Sequence, residues 1–514
     1  MKRLGLFAAA GVLILLGSAQ PALAQFSLGD TPGARTPAYN ISFNGQLRFI
    51  GVAWDNLNDF TDTQAVASNC GTGAFCKDSH SRYFERLRWW ITIESADKKA
   101  KMVWNAQVGD LTLGNGSGVA DELGSSPASQ GGRVGPNAGG AAGARGVNMQ
   151  QRQIYIAFEP WIPATRVTVG IQYLQFLDGP AAEFFADNEP AIRFDWLGSP
   201  VDFSVWAAKL SENNLSNADD NDYYAARIGV SLAPDIRLSV EGLVANRQCF
   251  QRRPAAAGVT GVSTLANQGS CVKEDFANTF WVGGTANAKI AGMTLYGVVV
   301  YGQRGIWSSA LNQVFKERGF GLMADAVVPI GPLSVTAHGW YTSGDKDRFI
   351  GGAGGGSCAT PRGAPTGDCH GVGNTTKINR NSDKLPVPES GSSWLSVAYI
   401  ADFLTGNATV GGPTGLGQPL NADISGTWGI GAAASYALTP AFNINLGAAF
   451  VAPSENKNRL GGQNAIFGDH AIEIDAGPRW TINANLSMQA VVGYIIPDTG
   501  DDSWGGIYRF IYFF

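Results

Sequence analysis

Between Ile41 and Trp54 the chain reads ISFNGQLRFIGVAW. Ile41, Phe43, Leu47 and Phe49 occupy odd positions, and Ser42, Asn44, Gln46 and Arg48 even ones. Side chains of an extended strand point alternately to its two faces, so a period of two over this length predicts a strand with one apolar and one polar face. The pattern recurs. Thr165 to Tyr173 sets Val167, Val169, Ile171 and Tyr173 against Arg166, Thr168 and Gln172, and Ala441 to Phe450 sets Phe442, Ile444, Leu446, Ala448 and Phe450 against Asn443 and Asn445. Strands of ten to fourteen residues are longer than the five or six usual in soluble sheets and match what a tilted strand needs to cross a bilayer.

The breaks between these runs alternate in length. Short ones fall at Asp97-Lys98, Trp161-Ile162-Pro163, Gly198-Ser199-Pro200, Pro234-Asp235, Ala291-Gly292, Gly331-Pro332, Thr439-Pro440 and around Asn483. Long ones span Asn56–Ser81, Asn115–Gly146, Asp178–Glu189, Glu212–Asn221, Cys249–Glu274, Gly305–Phe315, Lys346–Asp423, Pro453–Gly468 and Asp498–Gly505. Strict alternation of short turns and long loops predicts an all-β, transmembrane, antiparallel up-and-down β-barrel of about eighteen strands, sixteen remaining open, with short periplasmic turns and long extracellular loops. Trp394 to Leu404 is read as part of one large loop, although its composition also suits a further strand.

Composition narrows the class. No segment after the N-terminal leader offers eighteen consecutive apolar residues, so spanning helices are not expected. Residues 1–24 carry Lys2 and Arg3, an apolar run and Ala22-Leu23-Ala24, which together predict a cleaved signal peptide, a retained anchor being the alternative. Removing those two cations from 37 leaves 35 basic against 42 acidic residues, a net charge of −7, which argues against a nucleic-acid partner. Residues 25–40 are read as a short periplasmic segment and 41–514 as one barrel with its loops.

The six cysteines form three close sequence pairs, Cys70 and Cys76, Cys249 and Cys271, Cys358 and Cys369, each inside a long polar loop. For an exported chain this spacing predicts local disulfides. Zinc is the rival reading, with no C-x-x-C and four histidines against it. The connectivity stays open.

The last strand places Tyr508, Phe510, Tyr512 and Phe514 on one face and Ile507, Arg509, Ile511 and Phe513 on the other. The aromatic face suits the lipid interface, and pairing of this strand with the first removes both sheet edges.

With RYFERLRWWITIE, AKMVWNAQVGDLTLG, QRQIYIAFEPWIPATRVTVGIQ, YTSGDKD and the terminal Phe513-Phe514, the chain resembles bacterial outer-membrane porins, in particular the larger, eighteen-stranded or homotrimeric types. The resemblance implies a water-filled channel for passive diffusion of small hydrophilic solutes and ions, bacterial outer-membrane location, and no catalytic residues, cofactor or metal. It further implies a homotrimer among outer-membrane lipid and lipopolysaccharide. Tyr508, Phe510, Tyr512 and Phe514 would be read by the barrel assembly machinery. A substrate-selective channel for saccharides or acidic polysaccharides is the alternative.

A pore works through a narrow place and the field across it. Porins commonly fold the third long loop inward, here DGPAAEFFADNEPA, so Asp178, Glu183, Asp187 and Glu189 are the expected constriction carboxylates and Phe184 and Phe185 the pair that packs the loop on the inner wall. Parity assigns Arg48, Arg86, Arg88, Lys101, Arg166, Arg193 and Arg509 to an opposing basic wall. Arg237, Arg247 and Arg479 are further lumen candidates, with Asp202, Glu241, Asp325, Glu473 and Asp475 as lumen carboxylates. Trp54, Trp90, Trp206 and Trp340 share the lumen parity but are read as interfacial belts. His338 is expected to stand without a partner, and Asp345 and Asp347 to mark a polar strand exit, not a calcium site.

Overall fold

A computed structural model describes residues 39–55, 80–112, 149–178, 183–211, 221–248, 276–308, 313–344, 381–382, 426–455, 470–498 and 502–514. The strands in chain order begin with β1 (Tyr39–Asp55), β2 (His80–Ser95), β3 (Ala100–Thr112), β4 (Met149–Phe158), β5 (Thr165–Asp178) and β6 (Glu183–Trp196). There follow β7 (Val201–Ser211), β8 (Asn221–Ala233), β9 (Ile236–Gln248), β10 (Phe276–Ile290), β11 (Met293–Ser308), β12 (Gln313–Ile330) and β13 (Leu333–Thr342). The last are β14 (Asn381–Ser382), β15 (Thr427–Thr439), β16 (Phe442–Pro453), β17 (Ala471–Thr481), β18 (Leu486–Pro497) and β19 (Ser503–Phe513).

Each strand pairs antiparallel with the next, except that β13 pairs directly with β15 and the two-residue β14 lies parallel to β12. β1 then pairs with β19, from Gln46↔Phe513 to Asp55↔Trp504, so eighteen strands close into one barrel. Closure satisfies the backbone donors and acceptors that a sheet edge would expose to hydrocarbon.

The two faces follow the alternation. On β1, Ile41, Phe43 and Leu47 are exposed while Gln46, Ile50 and Val52 are buried toward the inside. Ile192, Ile228, Val240, Val299, Ile430, Leu446 and Val492 stand on the outer face of their strands, each with about half or more of its surface open. Exposed apolar side chains on strand after strand are what a lipid-facing wall requires.

All eight short breaks named from sequence are tight turns among the described residues. Ala291 and Gly292 both have positive φ, 51° and 83°, the backbone of a type I′ hairpin whose twist matches its flanking strands. At the first turn Asp97 accepts from the Ser95 hydroxyl and the Lys99 N–H at 2.6 and 3.1 Å, which hold its carboxyl below the usual range. The seam between the chain ends is ring-lined on the outside. Phe49, Tyr83 and Tyr508 cluster at centroid separations of 6.0 to 6.3 Å, and a Cβ on Gly51 would run into the Tyr508 ring.

Three sequence expectations are corrected. Glu183 to Glu189, read as loop, belongs to β6 and pairs with β5 through Phe176↔Phe185 to Asp178↔Glu183, because the acidic run still finds a cross-strand ladder. Trp206 and Trp340, read as belt residues, are buried on the inner face, where the hairpin described below and the ring of His338 cover them. His338 is not alone, since its Nδ1 lies 2.5 Å from Asp325 Oδ1 on the neighbouring strand. The leader, the six cysteines, Asp345, Asp347 and residues 394–404 lie outside the described residues.

Candidate functional site

The β5–β6 hairpin departs from the wall. β4 pairs with β5 only over Val167–Ile171, and β7 pairs with β6 only over Ala191–Trp196. The β5–β6 ladder itself continues past both limits to Asp178↔Glu183. Residues 172–178 and 183–190 are therefore carried by their own ladder and by what they lie against.

They lie against the inside of the barrel. Phe185 stacks on Trp206 of β7 at 6.0 Å and packs on Tyr223 of β8 at 5.4 Å. Phe184 meets Phe176 at 5.9 Å and the edge of Trp281 on β10 at 6.3 Å. Leu174, Phe176, Leu177, Phe184 and Phe185 have at most 1% of their surface open, so the hairpin supplies an apolar core inside what would otherwise be a hollow wall. On the other flank the Gln153 amide of β4 donates to Asn188 at 2.7 Å. The hairpin thus reaches from β4 to β10 across the inner face.

Of the expected constriction carboxylates, Asp187 and Glu189 are half-buried on this hairpin, opposite Leu174 and Gln172 in register. Asp178 and Glu183 face each other at the end of the ladder, and their side chains lie outside what is described.

The basic residues fall into two groups on one arc of the wall. In the first, Arg48 pairs across strands with Arg86 and Gln46 with Arg88, so all of them share the inner face of β1 and β2. Arg509 of β19 sits opposite Ile50 and joins them. Glutamine carbonyls orient these guanidinium groups. Arg48 donates to Gln46 at 3.0 Å, Arg88 to Gln107 at 2.7 Å, and Arg509 to Gln489 at 2.9 Å from Nε. Arg152, unmarked in the sequence reading, donates to the same Gln107 oxygen at 3.2 Å. A glutamine carbonyl that accepts from a guanidinium fixes its orientation.

In the second group Lys101, Arg166 and Arg193 line one niche of about 210 Å³ below the hairpin, with Tyr155 and Gln172. Asp195 takes the Arg193 Nε–H at 2.8 Å. Further round the barrel, Asp202 holds both Arg227 and Arg237, at 3.1 and 2.6 Å. Glu241, Asp325, Glu473 and Asp475 are buried on the inner face as parity predicts, and Arg479 lies there opposite Gln489. Sequence reasoning missed the glutamine acceptors and the aromatic bed of Trp206, Tyr223 and Trp281. Their lumen parity was the available signal.

Among the described residues no cluster of His, Cys, Asp and Glu has the makings of a metal site. No protein-family model and no curated protein matches the sequence. Solved structures match the fold. Pseudomonas aeruginosa OccK9 (OpdG) superposes with a TM-score of 0.51 at 10% identity, covering 92% of this chain and 98% of that one. Acinetobacter baumannii OccAB4 gives 0.49 at 10% identity, with 92% and 98% covered. A BenF-like porin from Pseudomonas fluorescens gives 0.48 at 10% identity, again with 92% and 98% covered. The fold shared with OccK9 is a closed antiparallel β-barrel, which in this chain has eighteen strands in its ring.

Proposed function

We propose that this chain is an outer-membrane porin, a water-filled channel through which small hydrophilic solutes and ions diffuse passively. The observation that carries the reading is the closed ring of eighteen strands, apolar outside and polar inside, since barrels of sixteen to eighteen strands are wide enough to leave an aqueous passage. The β5–β6 hairpin is its constriction. The cationic arc of Arg48, Arg86, Arg88, Arg509, Lys101, Arg166 and Arg193, set beside the carboxylates Asp187 and Glu189, makes the transverse field that orients dipolar solutes and hinders apolar ones. Residues 1–24 direct export and are removed, the cysteine pairs brace external loops, and the aromatic face of β19 serves barrel assembly. A homotrimer among outer-membrane lipid and lipopolysaccharide is the assembly this reading expects.

Liposome swelling with graded sugars tests the function. Swelling that falls smoothly with solute size supports passive diffusion, and no swelling by a folded barrel contradicts it. The second reading, a substrate-selective channel for saccharides or acidic polysaccharides, draws on the niche lined by Lys101, Arg166, Arg193 and Tyr155. It predicts saturable entry of an acidic sugar that a neutral sugar of equal size does not compete for.

A further inference from the structure

The hairpin rests on the wall through apolar contact, which is strong but non-directional and leaves open how far the hairpin slides into the passage. Two features of β9 and β10 settle that position. The backbone N–H of Leu177 donates to Glu241 Oε2 at 2.9 Å, and this carboxylate is buried with 7% of its surface open. Glu241 is itself held, because Ser239 donates to its Oε1 at 3.0 Å and Ser239 Oγ lies 2.7 Å from Thr285 Oγ1 on β10. Next to it in the ladder, Glu241 pairs with Gly283. The Leu177 side chain occupies the space above that glycine, where an added Cβ would meet both Leu177 Cδ1 and the backbone carbonyl oxygen of Val299 on β11 at 2.5 Å. Leu177 has a φ of 54°, left-handed for a non-glycine residue, so its N–H and its side chain are presented from a backbone bend.

We propose that Glu241 and Gly283 form a latch that seats the hairpin and so sets the cross-section of the channel. Glu241 is a positioning residue: it acts on solutes through the hairpin. The inference rests on the hairpin being the constriction. A charge-assisted bond to a buried backbone amide has no water to replace it while the hairpin is seated. Its removal shifts the ratio of seated to lifted hairpin by roughly tenfold or more, while the aromatic bed keeps the hairpin inside the barrel.

The test compares Glu241→Gln, Glu241→Ala and Gly283→Ala with the parent chain in planar bilayers and in graded-sugar swelling. Gln retains a carbonyl acceptor for Leu177 and is expected to keep single-channel conductance and size cut-off near those of the parent. Glu241→Ala is expected to raise both and to add current fluctuations. Gly283→Ala, whose Cβ would press on Leu177 and on the Val299 carbonyl of β11 without touching a charge, is expected to do the same in a barrel that folds. Should Glu241→Ala fail to give a folded barrel, Leu177→Ala, which empties the space over Gly283 without altering a wall strand, decides in its place and is expected to raise conductance and cut-off. A folded Ala variant with unchanged conductance and cut-off overturns the latch, as does a Gln variant that behaves like the Ala one. Absence of conductance in the parent chain itself would refute the channel reading instead, so the two failures are distinguishable.

Discussion

Phe185 lies flat on Trp206, ring centroids 6.0 Å apart and planes inclined by 22°, so a hairpin residue beyond the stretch over which β6 and β7 are hydrogen-bonded rests on the inner face of β7. That contact, with Phe184 on Trp281, turns a strand extension into an inward flap. Replacing Phe184 and Phe185 together by Ala removes two fully buried rings, at about 3–5 kcal/mol for each such truncation. The expected outcome is a barrel with larger, noisier conductance and a lower unfolding temperature. Planar-bilayer recordings and thermal melts in detergent check it.

Arg86 and Arg88 face the inside of the barrel beside Arg48 and Arg509. Neutralising both with Gln keeps length and hydrogen-bonding capacity while removing two lumen cations. The reversal potential across a salt gradient is expected to move toward cation preference, and the shift to shrink at high salt, where surface charges are screened. An unchanged reversal potential removes these residues from the solute path.

The outer seam depends on close approach. Gly51 leaves room for the Tyr508 ring, so Gly51→Val forces that ring off the seam between β1 and β19. Less of the chain is expected to run as the compact, heat-modifiable species on unheated electrophoresis, whereas Tyr508→Phe, which keeps the ring, is expected to behave as the parent.

Alternation can be tested residue by residue. Val240 stands outward on β9 with 63% of its surface open, while Ala433 on β15 pairs with Thr336 and Gly447 on the inner face. Val240→Arg is expected to destabilise the barrel in lipid by about 2–4 kcal/mol if the position lies near mid-bilayer. Ala433→Arg is expected to leave stability nearly unchanged and to alter conductance. Urea titration in lipid vesicles separates the two.

Much of this architecture was legible from the chain. Pro234-Asp235, Ala291-Gly292 and Gly331-Pro332 are turn chemistry, and the period of two between them assigned Arg48, Arg86, Arg88 and Arg509 to the inner face. The hairpin was not legible as a strand. Asp187, Asn188, Glu189 and Pro190 read as polar loop, and a strand that leaves the wall keeps its alternation while losing its neighbours, which only pairing reveals. The parity of Trp206 suits a lumen face or a belt, and only the hairpin supplies the inner core that buries it. The partner of His338 is Asp325, thirteen residues away on the adjacent strand, a distance no local motif spans.

Everything rests on an aqueous passage through the closed ring. Single-channel recording of the purified full chain in a planar bilayer tests it most directly. The account predicts discrete, ohmic conductance steps that scale with the conductivity of the bathing salt. A protein that inserts as a heat-modifiable β-barrel and yet passes no ionic current contradicts it.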